Sequence, residues 1–209
     1  MGTSRSRQGR AYGRAEVEAL LHDALATLTG DGTPFRDLSV ERLCTAAGIA
    51  RSTFYLYFRD RTAMLQALAA TALLRLYDAQ RAWLHRGADV APTDVRDGMR
   101  ALVAVYRDDQ VVMRAVAEAS EYDRAIREAY LAGVQDYVAA VERLIRAGKR
   151  TGRFRDVHPA GTAAALAWMT ERTVSQLPAE ASAAQARAVA DALADIVCAT
   201  LLVDRTAAG

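Results

Sequence analysis

A chain of 209 residues with 52% hydrophobic and 25% charged side chains can bury a full core and lacks the bias of a disordered or fibrous protein. Its formal net charge of +2 excludes recognition of a polyanion by bulk charge alone. Two lone cysteines, Cys44 and Cys198, stand far apart in sequence, which argues against a disulfide framework and fits a reducing compartment. No apolar run approaches the ~20 residues of a membrane span and no signal-peptide segment stands near the start, so the expected location is cytoplasmic.

The chain opens on a basic arm, because Arg5, Arg7, Arg10 and Arg14 all precede the first acidic residue. Such an arm is either a solvated tail or a segment that tracks phosphates or a minor groove. Val17, Leu20, Leu21, Ala24, Leu25 and Leu28 then recur at helical spacing and predict an amphipathic helix over Arg14–Thr29. A turn rich in Gly and Pro ends it, and Phe35 and Leu38 are placed to drop apolar anchors into a three-helix head.

Residues 39–60 read as two short helices joined at Gly48. Ser39 is a good N-cap, Val40 and Leu43 give the first helix an apolar edge, and Gly48 can take the positive φ that ends it. In the second helix, which begins near Ala50, Phe54 and Phe58 stand four residues apart and point with Ile49 into a core. Thr53, Leu56 and Tyr57 fall opposite, flanked by Arg51, Ser52 and Tyr55. A merely solvated face would carry Glu, Lys or Gln. These side chains suit a duplex instead: arginine forks onto a guanine edge, hydroxyls hold phosphates and leucine touches a thymine methyl.

The run from Ala46 to Leu65, Ala-Ala-Gly-Ile-Ala-Arg-Ser-Thr-Phe-Tyr-Leu-Tyr-Phe-Arg-Asp-Arg-Thr-Ala-Met-Leu, closely resembles the helix-turn-helix signature of the TetR family of bacterial transcriptional regulators. The likeness covers residues 38–68. Trp168-Met169-Thr170-Glu171-Arg172-Thr173 resembles the EthR-like branch of that family. On this resemblance Arg51, Ser52, Tyr55 and Leu56 meet bases, while Thr53, Tyr57 and Arg61 hold phosphates. Ser52 departs from the Gly or Pro frequent at its position in the family.

Asp60 is placed to cap a long helix in which Met64, Leu65, Leu68, Ala72, Leu76 and Trp83 trace a stripe, widened by Leu73, Leu74, Tyr77 and Leu84. The resemblance makes this the connector between reader and sensor. After a break at 87–93, apolar spacing predicts helices over 94–107, 111–120, 123–150, 159–177 and 181–204. The expected fold is all-α, with about nine helices. Its domains are an arm at 1–13, a head at 14–60 and a ligand-binding and dimerisation domain at 61–205. The last two helices are rich in alanine, which lets axes approach closely. Val189, Leu193, Ile196, Val197, Thr200 and Leu201 stripe the final one, and the resemblance assigns both helices to a homodimer interface.

Catalysis finds no support. His22, His85 and His158 lack metal-ligand spacing, there is no Gly-x-Ser-x-Gly elbow, and Asp108-Asp109 sit at a helix junction where capping or solvation explains them. No enzyme activity, metal or cofactor is expected. Tyr106, Met113, Tyr122, Tyr130, Tyr137, Trp168 and Met169 are either core or the lining of a cavity. By resemblance Leu102, Tyr106, Val134, Tyr137, Thr170 and Thr173 enclose a ligand tunnel, with Trp168 beside them. Glu171-Arg172 reads as an ion pair at the dimer rim, and Cys44 as core rather than redox sensor. The expected function is a homodimeric regulator, a repressor released from a palindromic operator on double-stranded DNA by a small hydrophobic effector. The effector would be held by packing and by Thr170, Thr173 and Gln176. The alternatives are a ligand-independent DNA-binding protein and a small-molecule carrier that kept the fold.

Overall fold

The periodicity becomes nine α-helices among the described residues, 12–30 and 32–203 of the computed structural model. These are α1 (Arg14–Thr29), α2 (Val40–Ala47), α3 (Arg51–Tyr57), α4 (Arg61–Leu84), α5 (Pro92–Asp108), α6 (Gln110–Ala119), α7 (Arg124–Arg150), α8 (Pro159–Ser175) and α9 (Ala183–Leu201). Single 3-10 turns occupy Phe35–Asp37 and Gly87–Asp89. The expected basic arm lies outside the described residues, apart from Tyr12 and Gly13. The chain divides into two compact units between Leu68 and Ala69. That is two turns later than the boundary expected after Asp60, because Met64, Leu65 and Leu68 of α4 bury apolar side chains of the first unit.

In the first unit Val17, Leu21, Ala24 and Leu25 of α1 bury together with Phe35, Leu38, Leu43, Phe54 and Phe58. Ser39 caps α2 by accepting from the Arg42 amide at 3.2 Å. Gly48 ends it at φ 67°, where a side chain would crowd the following carbonyl. Asp60 begins α4 by accepting from the Ala63 amide at 2.7 Å. Cys44 is buried, and burial pushes its thiol above the usual range, which suppresses the reactive thiolate.

In the second unit α5 packs on α9 and α7 on α8, with α6 wedged against α7 and α8. Two arginines tie α5 to α9 across this packing. Arg100 grips Asp191 with two bonds, of 2.7 and 3.1 Å, and Arg96 reaches Asp195 at 2.9 Å. The stripe on α9 therefore splits: Leu193, Val197 and Leu201 are core, while Ile196 is exposed and Val189 and Thr200 are half-buried. Leu74, expected to widen the apolar band of α4, is also exposed. Asp109 is not solvated at its junction; it is buried and accepts from Arg75 Nη1 at 2.9 Å, with Asp108 nearer the surface on the same guanidinium.

A polar knot fastens α4 to α5 and α7. Gln80 is buried, and its Nε2 donates to the Gly98 carbonyl at 2.6 Å. Its Oε1 accepts from Trp83 Nε1 at 2.9 Å and from the Tyr137 hydroxyl at 3.2 Å. The buried amide is thus satisfied on both sides, the condition for such a group to stabilise rather than to cost. Gly98 is required because a Cβ there would enter the Trp83 indole. We expect Gly98→Ala to lower the unfolding free energy by about 1–3 kcal/mol in urea titrations, the usual cost of overpacking.

Candidate nucleic-acid and effector sites

The outward face of α3 is defined by what the other face buries. Phe54 and Phe58 are fully packed, with ring centroids 5.5 Å apart, so the helix cannot rotate without exposing them. Arg51, Ser52, Tyr55 and Leu56 are left in solvent, with Leu56 73% and Tyr55 48% exposed. The Arg51 guanidinium lies 5.9 Å from the Tyr55 ring centroid, a cation–π distance that holds both along one edge. Thr53 and Tyr57, expected opposite the core, lie half-buried at the flank. The exposed set is therefore the pair of i, i+4 rows that starts at Arg51 and Ser52. A large leucine exposed beside arginine and tyrosine has no solubilising value; it suits contact with a base edge.

Of the residues expected on phosphates, Tyr57 has its hydroxyl and Arg61 one guanidinium nitrogen engaged inside the first unit. The Tyr57 hydroxyl donates to the Tyr12 carbonyl, so its single proton is used in fastening the chain ahead of α1 to α3. Arg61 Nη1 faces the carbonyls of Phe35, Arg36 and Leu38 at 3.2, 2.5 and 2.7 Å. It closes the end of the 3-10 turn, where carbonyls lack helical partners. Its Cζ also sits 5.4 Å from the Phe35 ring centroid. Both side chains position the reading helix and its neighbours. The signal that could have found this is the acceptor-rich 35–38 turn, which needs a donor from another element.

The expected effector residues fall on three helices of the second unit. Tyr106 on α5, Val134 on α7 and Thr170 on α8 are buried; Leu102 and Tyr137 are half-buried. Burial pushes the Tyr137 phenol above its ordinary range, and its proton goes to Gln80. Trp168 is 41% exposed, and Thr173 and Gln176 are exposed too, so α8 turns them away from the interior that Thr170 faces.

Glu171 departs most from expectation. Instead of pairing with Arg172, which is exposed, its Oε1 accepts from the Tyr130 hydroxyl at 2.5 Å. Burial, and then this bond, push the Tyr130 phenol well above its usual range. Burial and the same carboxylate raise Tyr106 to about 12. Glu171 follows Ala167 by one turn, at the edge of the buried stripe, and that spacing was the signal available in the sequence. His158 is neither ligand nor base here: its Nδ1 caps α8, accepting from the Gly161 amide at 3.0 Å. Among the described residues no group of acidic, histidine or cysteine side chains could hold a metal ion, and no helix is long and apolar enough to cross a membrane.

The family model of the bacterial regulatory proteins, tetR family, matches residues 32–68, and that of the C-terminal domain of the transcriptional regulator EthR matches 95–202. The chain belongs to the TetR family, in its EthR branch. It is a ligand-responsive, DNA-binding transcriptional regulator and not an enzyme. The HTH-type transcriptional regulator EthR of Mycolicibacterium smegmatis is 28% identical over 173 residues, spanning 80% of this chain and 77% of that protein. Among solved structures, the TetR family regulator PfmR from Thermus thermophilus has a TM-score of 0.67 at 20% identity, covering 87% of this chain and 97% of its own. SmeT, solved in complex with triclosan, has a TM-score of 0.70 at 19% identity, with 92% and 94% covered. These two likenesses are of fold.

For a TetR-family head, Tyr57→Phe separates a positioning role from a phosphate contact. We expect it to cost about 0.5–1.5 kcal/mol of stability, the worth of one hydrogen bond. Operator affinity should fall without any change in its salt slope, as measured by calorimetry and by binding at several ionic strengths.

Proposed function

We propose that this regulator is a homodimeric repressor that leaves a palindromic operator when a largely apolar small molecule enters the second unit. The exposed Arg51, Ser52, Tyr55 and Leu56 row carries the DNA half of the reading. It combines a guanine-forking side chain, a hydroxyl, a phenol and an apolar contact on one edge, with Thr53 at the flank for the sugar-phosphate chain. Tyr57 and Arg61 act chiefly by holding that edge in place, and Arg61 retains Nε and Nη2 for a phosphate.

A seven-residue helix reads too few base pairs to single out one site, so two copies are needed. Exposed Trp168 on α8 and exposed Ile196 on α9 favour these helices as the surface between protomers. Half-buried Val189 and Thr200 would extend the contact along α9. Leu193, Val197 and Leu201 belong to the core and do not take part.

The effector half draws on Tyr106, Val134, Thr170, Leu102 and Tyr137, which line facing helices with buried or half-buried side chains. A ligand acts only if it favours one arrangement over another. The Gln80 knot makes α4 sensitive to how α5 and α7 are spaced, and α4 continues without interruption into the first unit. SmeT, with triclosan bound, provides a precedent on this fold for an apolar aromatic ligand.

Selection of bound duplexes from a random pool should enrich one inverted repeat. Arg51→Ala should alter the preferred base at one position in each half-site, at a cost of about 1–3 kcal/mol on the parental site. No enriched repeat, or an unchanged preference in the variant, would contradict the assignment.

A further inference from the structure

One polar cluster in the second unit is explained neither by packing nor by DNA reading. Tyr106 is only 7% exposed, and its hydroxyl, which takes no protein hydrogen bond among the described residues, keeps some accessible surface. A phenol whose ring is packed while its hydroxyl stays open presents that hydroxyl, as donor or acceptor, to whatever comes to lie beside it. The chemistry there is set by its neighbours. The Glu171 charge acts on Tyr106, and its Oε1 already takes the Tyr130 proton. Arg114 on α6 and Arg172 on α8 bear on the two phenols from exposed positions, but neither forms an ion pair with Glu171 among the described residues.

We propose that Tyr106, Tyr130 and Glu171 form the polar end of the effector site and select a ligand whose apolar body ends in a hydrogen-bond donor, an amine or a hydroxyl. This rests on the ligand-responsive reading above and names the ligand class. Tyr130 has spent its proton, and a carboxylate can only accept. A headgroup that reaches Glu171 must therefore bring its own proton, while the Tyr106 hydroxyl can donate to or accept from the same headgroup. A ligand ending in a carboxylate would set a second negative charge against Glu171, and within the cluster itself only Tyr106 could donate to it. The three residues come from α5, α7 and α8, so occupation would also fix the spacing of helices that the Gln80 knot links to α4.

The test uses the full-length protein and four probes with one body: hexylamine, hexan-1-ol, hexanoate and methoxyhexane, compared at equal millimolar concentrations by thermal shift. The amine and alcohol should raise the melting temperature, and hexanoate and the ether should not. An amine that outranks the alcohol assigns the donor as cationic, and the reverse order assigns it as neutral; either supports the proposal. Tyr106→Phe should weaken the donors roughly tenfold or more. Glu171→Gln supplies an N–H and should admit hexanoate, which a purely structural role for Glu171 would not produce. Hexanoate or the ether matching the alcohol, a donor preference unchanged in both variants, or no shift by any probe would overturn the proposal. DNA binding is measured separately without probe. A parent that binds its inverted repeat but shows no donor preference refutes the headgroup inference alone, whereas a parent that binds no operator refutes the repressor reading.

Discussion

A helix of seven residues cannot hold its shape in water, because so short a helix has too few hydrogen bonds to offset its nucleation. The outward face of α3 exists because Phe54 and Phe58 bury beneath it. Each buried aromatic contributes about 1.5–3 kcal/mol, and the pair, four residues apart, fixes the rotation of the helix as well as its place. Arg51, Ser52, Tyr55 and Leu56 face outward as a consequence. The remaining contacts of the first unit refine that result. Gly48 sets the angle at which α3 departs from α2, Tyr57 fastens the chain before α1, and Arg61 gathers the carbonyls of the 35–38 turn.

The helix that carries Arg61 also carries Gln80 and Trp83, and this gives α4 a defined grip at each end. Arg61 holds through three carbonyls and Gln80 through a buried amide that engages α5 and α7. Both grips are directional. A helix held by apolar contacts alone could slide by small steps, whereas a hydrogen-bonded knot has discrete arrangements. Discrete alternatives are what an effector needs if its binding energy is to shift a population rather than strain a continuum.

The sequence made the fold legible because its signals are local and repeat: apolar spacing in α1 and α7, the Ser39 and Asp60 caps, and Gly48 between α2 and α3. Burial of Phe54 and exposure of Leu56 follow from the same 3.6-residue period. The Tyr130–Glu171 contact was less legible because it joins partners distant in sequence. Nothing around Glu171 announces Tyr130, 41 residues away, and its neighbour Arg172 suggests an ion pair that the helix geometry does not make. The expected pairing of Thr170 with Thr173 around a ligand is undone by α8, which buries the first and exposes the second, and the length of the tyrosines conceals which hydroxyls meet. On α9 the apolar stripe is wider than one interface, so the core of the second unit claims Leu193, Val197 and Leu201 and leaves Ile196 outside.

The central claim is that the two units share one equilibrium through α4. The most direct measurement is a closed thermodynamic cycle by calorimetry, in which operator affinity is titrated with and without a bound effector, and effector affinity with and without operator. Linkage requires the two fold-changes to be equal, and coupling energies of this kind are about 1–3 kcal/mol. Equal reductions within that range, abolished by Gln80→Leu, would support transmission through the knot and α4. An effector that binds tightly but leaves operator affinity unchanged, or a coupling that survives loss of Gln80 intact, would contradict it.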